Sequence, residues 1–403
     1  MSPYFRESGT VNLLKNLNTE KVFKQILLKG SVSRAQISQL TGMNKVTVSK
    51  CIDFLLKQHI VKETGIVEAD FGRPPIMLSL REDFGLFIGI EINHIANVIL
   101  ISDIKGNPLE RNLLPDFGGD PVKFFEALPE ILQSYLKKYN FTKHGYVGLG
   151  IALPTNYNRK TDTVENIYSM PKWKGIHVKQ ELDKRFPNMK ISVMVASEAG
   201  AIGEIHFGCS TPFEHLAYLY GTWGITLSVY SAGSMYMGTS GFAGRFGHTI
   251  VESAGRPCVC GNCGCLEAYS SVRPLIKKFY PDDGYVKEHV FDIIGRIRKN
   301  EPAVNEEMEC LSRYLSIGIV NILNMYNPDK ICIGGYLAKL ITKKTLDNVY
   351  HSVKHMTLDH YFKGVSICTS KQEEFGPVYG CVATLRDHLI DIVATGKYCL
   401  EGR

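Results

Sequence analysis

Between positions 248 and 265 the sequence HTIVESAGRPCVCGNCGC holds His248, Cys258, Cys260, Cys263 and Cys265. Thiolate and imidazole are donors that zinc accepts, and four at short spacing let one loop wrap an ion. Cys258, Cys260 and Cys265 with His248 make a Cys3His set, leaving Cys263 as a spare thiol. Gly261 and Gly264 permit tight turns between them. Four protein ligands leave no open position, so the expected Zn2+ is structural rather than catalytic. The competing reading, four reduced cysteines in a surface loop, is disfavoured because clustered exposed thiols are reactive.

A second group lies near the N-terminus. Residues 1–80 hold eleven Lys and Arg against six acids, while the whole chain carries a net charge of +6. Nearly all the excess therefore sits in one fifth of the chain, which suggests a polyanion partner. A solvated basic face explains the charge equally well, so the pattern must decide. TEKVFKQILLKG reads as an amphipathic helix with Val22, Ile26 and Leu27 inward, stopped at Gly30. Ser33 and Gln36 form a capping box for the next helix. Thr41-Gly42-Met43 is a tight turn, and Asn44 caps a third helix striped by Val48, Ile52 and Leu55. Two short strands, IVKETGIV and PPIMLSL, follow as a wing.

Helix, short glycine turn, helix is the helix-turn-helix pattern, whose second helix enters the major groove. Asn44, Lys45, Thr47 and Ser49 are placed to reach base edges of double-stranded DNA, and Lys50 to meet phosphate. Ser33, Arg34 and Gln36 open the preceding helix, where amides and short polar groups hold phosphate. Arg73, in Phe71-Gly72-Arg73-Pro74-Pro75, suits a narrow minor groove. A rigid linker accounts for that segment equally well, and a small helical protein-binding domain is the competing reading of the whole unit.

The elements that must position these groups form an α/β fold. FGLFIGIEI and ANVILISDI read as adjacent strands before a turn at Lys105-Gly106-Asn107. PVKFFEALPEILQSYLKKY is helical, and YVGLGIALP is a buried strand ending in a proline loop. Strand and helix alternate again to CLSRYLSIGIVNILNMYNPDKICIGG. The strand-rich openings near residues 86 and 216 hint at two lobes of one design. The 403 residues are 44% hydrophobic and 21% charged, which excludes disorder, collagen and coiled coil. No apolar run approaches a membrane span of ~18–20 residues. The odd cysteine count and the absence of a leader-like segment argue against a disulfide framework and for a cytoplasmic protein.

Gly247-His248 followed by C-x-C-G-x-x-G-C-x-E resembles the ROK family, named for repressor, open reading frame and kinase. The order from residue 84 to 390 is similar throughout: the strand pair, the loop at Pro154, NIYSMPKWKG, GTWGI, the cysteine loop and CIGG. With the helix-turn-helix in front, the chain resembles the family's repressor branch, of xylose and N-acetylglucosamine type. The resemblance implies a winged helix-turn-helix domain (1–80) before a two-lobed, actin-like or ribonuclease H-like domain. Lobe 1 would span 81–196, completed by 377–403, and lobe 2 would span 197–376. It also implies a sugar in the interlobe cleft, a zinc loop holding His248 and Glu267 in place, and a homodimer or tetramer on a palindromic operator.

The departures from the family pattern carry information of their own. The kinases of the family open with D-x-G-x-T. Here Glu91, Asn93 and Ile95 stand at those three positions. The second kinase turn, G-T-G-x-G, is Gly221-Thr222-Trp223-Gly224-Ile225. Side chains stand where phosphates need room, so ATP phosphotransfer is not expected and the chain reads as a non-enzyme. In the sugar cleft the Asn-Asp pair is Ser197-Glu198, the Glu of G-E-x-G-H is Arg245, and Pro-Gly is Pro154-Thr155. His248 and Glu267 match. Three readings follow: a neutral sugar through changed contacts, an acidic or phosphorylated sugar gripped by Arg245, or no sugar and constitutive or partner-driven regulation. An internal salt bridge from Arg245 to Glu198 or Glu267 is the plain structural alternative. A sugar kinase with an accessory DNA-binding domain is the runner-up for the chain as a whole.

Overall fold

The computed structural model describes residues 11–66, 75–154, 157–165, 170–208, 213–281 and 287–395. The N-terminal unit runs α1 (Val11–Lys29), β1 (Val32–Ser33), α2 (Arg34–Thr41), α3 (Lys45–Lys57), β2 (Val61–Ile66) and β3 (Ile76–Leu80). Its three strands form an antiparallel sheet in the order β1-β3-β2. Local chemistry sets the helix ends. The Gln36 side chain accepts from the Ser33 amide at 2.9 Å while Ser33 Oγ accepts from the Gln36 amide, closing the capping box. Gly42, at φ +68°, ends α2 in the left-handed region that a Cβ disfavours. Asn44 Oδ1 then accepts from the Thr47 amide at 2.8 Å and starts α3. Val22, Ile26, Ile37, Val48, Ile52 and Leu55 close the core without measurable exposure.

That core is not isolated. It is continuous with Val98 and Leu100 and with Val378, Leu385 and Leu389 near the C-terminus. The N-terminal unit is thereby seated on the next layer by apolar burial, the least directional of the forces available.

Two five-stranded mixed sheets follow. The first is built from β4 (Leu86–Glu91), β5 (Val98–Asp103), β6 (Pro108–Leu113), β7 (Tyr146–Leu153) and β10 (Lys190–Val195), in the order β10-β7-β4-β5-β6. Helix α4 (Pro121–Lys138), the short pair β8 (Tyr157–Asn158) and β9 (Thr163–Val164), and α5 (Val178–Arg185) lie between these strands in sequence. After α6 (Ala196–Phe207) comes the second sheet. It uses β11 (His215–Gly221), β12 (Ile225–Ser231), β13 (Ser234–Met235), β14 (Lys330–Gly334) and β15 (Ser366–Thr369), in the order β13-β12-β11-β14-β15. In both sheets the opening strand pairs antiparallel with its hairpin partner and parallel with the strand that follows a helical excursion. The two sheets thus repeat one plan.

The second sheet's helices are α7 (Glu267–Ser270), α8 (Val272–Phe279), α9 (Lys287–Arg298), α10 (Pro302–Tyr326), α11 (Tyr336–Leu340), α12 (Lys343–Met356) and α13 (Asp359–Phe362). The chain then returns to the first sheet as α14 (Gly376–Asp387), followed by α15 (Leu389–Thr395). Helix α14 lies directly on β4 and β7: a Cβ at Gly89 would stand 2.4 Å from the Val378 carbonyl oxygen. Among the described residues no helix is long and apolar enough to cross a membrane, and all nine cysteines are free.

Candidate functional site

The cysteine loop folds back on itself. Val251 donates to the Gly264 carbonyl at 2.8 Å, and Leu266 to Thr249 at 2.9 Å, which lays residues 249–251 against 264–266. Gly264 makes this fold-back feasible: it has φ +76°, and a Cβ would lie 1.6 Å from the Glu252 carbonyl oxygen. Four donors converge as a result. One ligand atom from each of His248, Cys258, Cys260 and Cys265 lies within 4.8 Å of every other. Cys258 Sγ is 3.6 Å from His248 Nδ1, and Cys260 Sγ is 3.6 Å from Cys265 Sγ. A tetrahedron with Zn–S bonds of about 2.3 Å and a Zn–N bond of about 2.0 Å has edges of about 3.5–3.8 Å. The set can therefore hold a metal such as zinc. Burial, then hydrogen bonding with Cys260 and Cys258, pushes the Cys265 thiol up to about 12, a penalty that a bound dication reverses by stabilising thiolate. Cys263 is exposed and lies outside the four.

The loop borders a cleft with a cavity volume of about 180 Å3, lined among others by Ser197, Glu198, Trp223, Arg245, His248 and Glu267. The structure thus brings together five of the six residues expected there, spread from Ser197 to Glu267 in the sequence. Thr155, the sixth, lies outside the described residues, as do Arg73 and most of its linker. Glu267 is buried, and its Oε2 accepts from the Ile225 amide at 3.0 Å. Burial lowers the basicity of His248; the Glu267 carboxylate opposes this, and the Arg245 and Arg273 guanidiniums add to it.

The salt bridge considered for Arg245 does not form. Glu198, on the first turn of α6, pairs instead with Arg159, from the turn between β8 and β9. Among the described residues Arg245 makes no ion pair, and it is exposed. Arg159 escaped the sequence reading because it belongs to no motif. Its one signal was its place four residues past Thr155 in the sequence.

The two altered turns meet at the hinge. Glu91 is buried, and its Oε1 accepts from the Tyr220 hydroxyl on the other sheet and from Asn93 Nδ2 at 2.8 Å. Asn93 Oδ1 also accepts from the Ile95 amide at 3.0 Å. Ile95 itself packs into the apolar core against the second sheet, as does Trp223. Burial, opposed by the Tyr220 and Asn93 hydrogen bonds, pushes the Glu91 carboxyl up to about 8. Asn93, Ile95 and Trp223 are all buried beside these two turns.

On the N-terminal unit, Lys45, Asn44 and Lys50 are exposed, while Thr47 and Ser49 are half-buried. Ser33 is buried, so its hydroxyl serves the cap, as the Gln36 carbonyl oxygen does. Arg34 Nη1 reaches Asp53 at 3.0 Å and the Ser49 carbonyl at 3.4 Å, tying α2 to α3. Val46 is 66% exposed between Lys45 and Thr47. The apolar-stripe reading passed over it because it lies on the opposite face of α3.

Residues 88–388 match the model of the ROK family. The chain belongs to the ROK family. It is 30% identical to a protein named "putative xylose repressor" from Caldicellulosiruptor sp. (strain Rt8B.4), over 97% of this chain and all of that one. Among solved structures, a ROK family transcriptional regulator, a homolog of the E. coli MLC protein, superposes with a TM-score of 0.76 at 22% identity, over 94% of this chain and 99% of that one. A ROK family glucokinase from Streptomyces griseus superposes with a TM-score of 0.62 at 19% identity, over 74% of this chain and 98% of that one. This ROK chain thus sits with the repressor branch in sequence and shares its fold with regulator and kinase alike.

Proposed function

We propose that this ROK protein is a sequence-specific, DNA-binding transcriptional repressor and not a kinase. We assign residues 1–80 to operator binding, 81–196 with 377–403 to the first lobe, and 197–376 to the second. The observation that carries the reading is the hinge. Asn93, Ile95 and Trp223 occupy both turns that would hold phosphate, while α3 keeps an exposed polar face.

In this reading α3 lies in the major groove. Lys45 and the Asn44 amide reach base edges or phosphate, and Val46 meets a thymine methyl. Ser33 and Gln36 act through the cap, presenting the N-terminus of α2 to phosphate. Arg34 fixes the angle between α2 and α3. Thr47, Ser49, Lys50 and Arg73 complete the contacts. Two copies read two half-sites, so the operator is roughly palindromic.

Zn2+ at His248, Cys258, Cys260 and Cys265 supplies four strong bonds that stiffen the loop. His248 and the neighbouring Glu267 are thereby fixed at the wall of the cleft. A carbohydrate effector held by Ser197, Glu198, Arg245, His248, Glu267 and the loop at Thr155 changes lobe closure through unequal affinity for the open and closed forms. Lobe closure then alters the spacing of the two DNA-binding units.

The test is selection from a random duplex pool at about 0.15 M salt, using the full chain with and without a sugar panel. A recovered palindrome whose recovery changes with one sugar supports the whole reading. A palindrome indifferent to every sugar removes the effector. Failure to recover any site removes the repressor reading, and ATP turnover with the same panel would then favour the kinase.

A further inference from the structure

Helix α6 runs from the cleft to the ground on which the N-terminal unit rests. Its first turn carries Ser197 and Glu198 into the cleft, where Glu198 pairs with Arg159 from the β8–β9 turn. Its last turn ends on His206 and Phe207. At about 1.5 Å per residue these ends lie roughly 16–18 Å apart.

The far end meets a buried arginine. Arg386, on the last turn of α14, is 7% exposed. Its Nη2 donates to His206 Nδ1 at 2.8 Å, its Nη1 donates to the Lys105 carbonyl at 3.3 Å, and its guanidinium lies over the Phe207 ring. His206 Nε2 stands 3.3 Å from Asp387. Burial raises the Asp387 carboxyl, but His206, Arg386 and Lys24, the last from α1, hold it below the usual range. The N-terminal unit is seated on the same elements. Helix α1 packs on α15, and Val22 and Ile26 share one core with Tyr379, Val382 and Leu385 of α14 and Leu389 of α15.

Between its ends α6 is held without slack. A Cβ at Gly380 would lie 1.7 Å from the Ala199 carbonyl oxygen, and one at Gly203 would lie 2.3 Å from the Gly376 carbonyl oxygen. The two helices therefore meet backbone to backbone. A Cβ at Gly200 would lie 2.5 Å from the Tyr218 ring, so the second sheet closes on α6 as well. A helix packed this closely passes a shift along its length and does not absorb it.

We propose that α6 is a coupling rod. Making or breaking the Arg159–Glu198 pair at its cleft end shifts His206 and Phe207 against Arg386, and so changes how firmly the N-terminal unit is seated. The pair supplies the two discrete states that a coupling route needs. An occupant of the cleft that engages Glu198 competes with Arg159 and thereby selects one of them. The inference rests on the regulatory reading above for its use, and it adds the route and a positioning residue, Arg386, that no sequence motif marked.

The test is hydrogen exchange, read by mass spectrometry peptide by peptide, on the full, zinc-loaded chain without DNA or sugar. Arg159→Ala should change amide exchange in α1 and α15 by about 2- to 30-fold, the range of couplings carried between distant sites. In an Arg386→Met background the same substitution should leave α1 and α15 unmoved, because the route is already cut. Arg386→Lys keeps the charge but loses the fork that spans His206 and the Lys105 carbonyl, and it serves as the second background should Met unfold the core. Exchange changes confined to β8, β9 and the first turn of α6 overturn the rod. So do effects of Arg159→Ala on α1 and α15 that persist in both Arg386 backgrounds. Neither result touches the operator reading, which the duplex selection tests separately.

Discussion

In the metal loop, four ligand atoms from residues 248–265 converge within 4.8 Å of one another. At the hinge, Glu91 on β4 meets the Tyr220 hydroxyl 129 positions further along the chain. The first constellation is local, assembled by donors and glycines that a short segment supplies. The second is made by folding, because neither residue has meaning without the other sheet. A metal held there would concentrate the loop's energy in a few strong bonds. The hinge spreads its energy over burial and hydrogen bonds between lobes. The comparison predicts that single substitutions act abruptly in the loop and gradually at the hinge.

The largest effect should come from Cys265→Ser. Structural zinc contributes on the order of 10 kcal/mol to the folding of small zinc modules, and much of that is forfeited when a ligand is lost. The variant should lose its metal by elemental analysis and unfold at markedly lower temperature. One equivalent of zinc retained at unchanged stability would show that Cys265 is no ligand.

Next in size is Trp223→Ala. Removing a buried indole costs about 3–5 kcal/mol, and Trp223 is 6% exposed within the second lobe's core. Denaturant unfolding should show that loss while zinc stays bound. A change below about 1 kcal/mol would mean that the indole hangs free in the cleft and does not plug the turn.

Third comes the pH dependence set by Glu91. Its folded-state value of about 8 stands above the usual 4.5, so the folded state binds the extra proton between those limits. The contribution of this carboxyl to stability is full below pH 4.5, declines as pH rises, and is gone above about 8. The slope is at most about 1.4 kcal/mol per pH unit. Glu91→Gln keeps an acceptor for Tyr220 but cannot titrate, so the difference between the two proteins should grow across that window. Parallel stability curves would show that Glu91 is charged in the fold.

The smallest effect belongs to Arg34→Ala. The Arg34–Asp53 pair is largely exposed, at 34% and 66% of the side chains, so its loss should cost about 0.2–1 kcal/mol. Operator affinity should fall more than stability does, because the substitution loosens the angle between α2 and α3. Equal effects on both would remove Arg34 from the positioning of α3.

The helix-turn-helix was legible because its determinants are near neighbours: the Ser33–Gln36 box, Gly42 at the turn and the Asn44 cap each act over two or three residues. The metal loop was legible for the same reason. The cleft was legible only in its membership. Ser197, Glu198, Arg245 and Glu267 were readable as a set, but their pairing was not. Arg159 took the carboxylate that had been weighed for Arg245, and Arg273 entered the wall from a helix with no motif at all. Val46 was hidden by the same logic, since periodicity identifies the buried face of a helix and says nothing of an apolar residue opposite it.

The amino-acid sequence by itself determined which chemistry this protein can hold: a Cys3His set, a capped three-helix unit, and two turns that carry Asn93, Ile95 and Trp223. These follow from side-chain identity and from spacings shorter than a turn of helix or a tight loop, where the backbone leaves little choice. Only the tertiary structure decided which charges are spent and which are left over. An ion pair forms between whichever groups packing brings within a few ångströms, and packing is settled by apolar burial across both lobes. The Arg159–Glu198 pair is a product of that process.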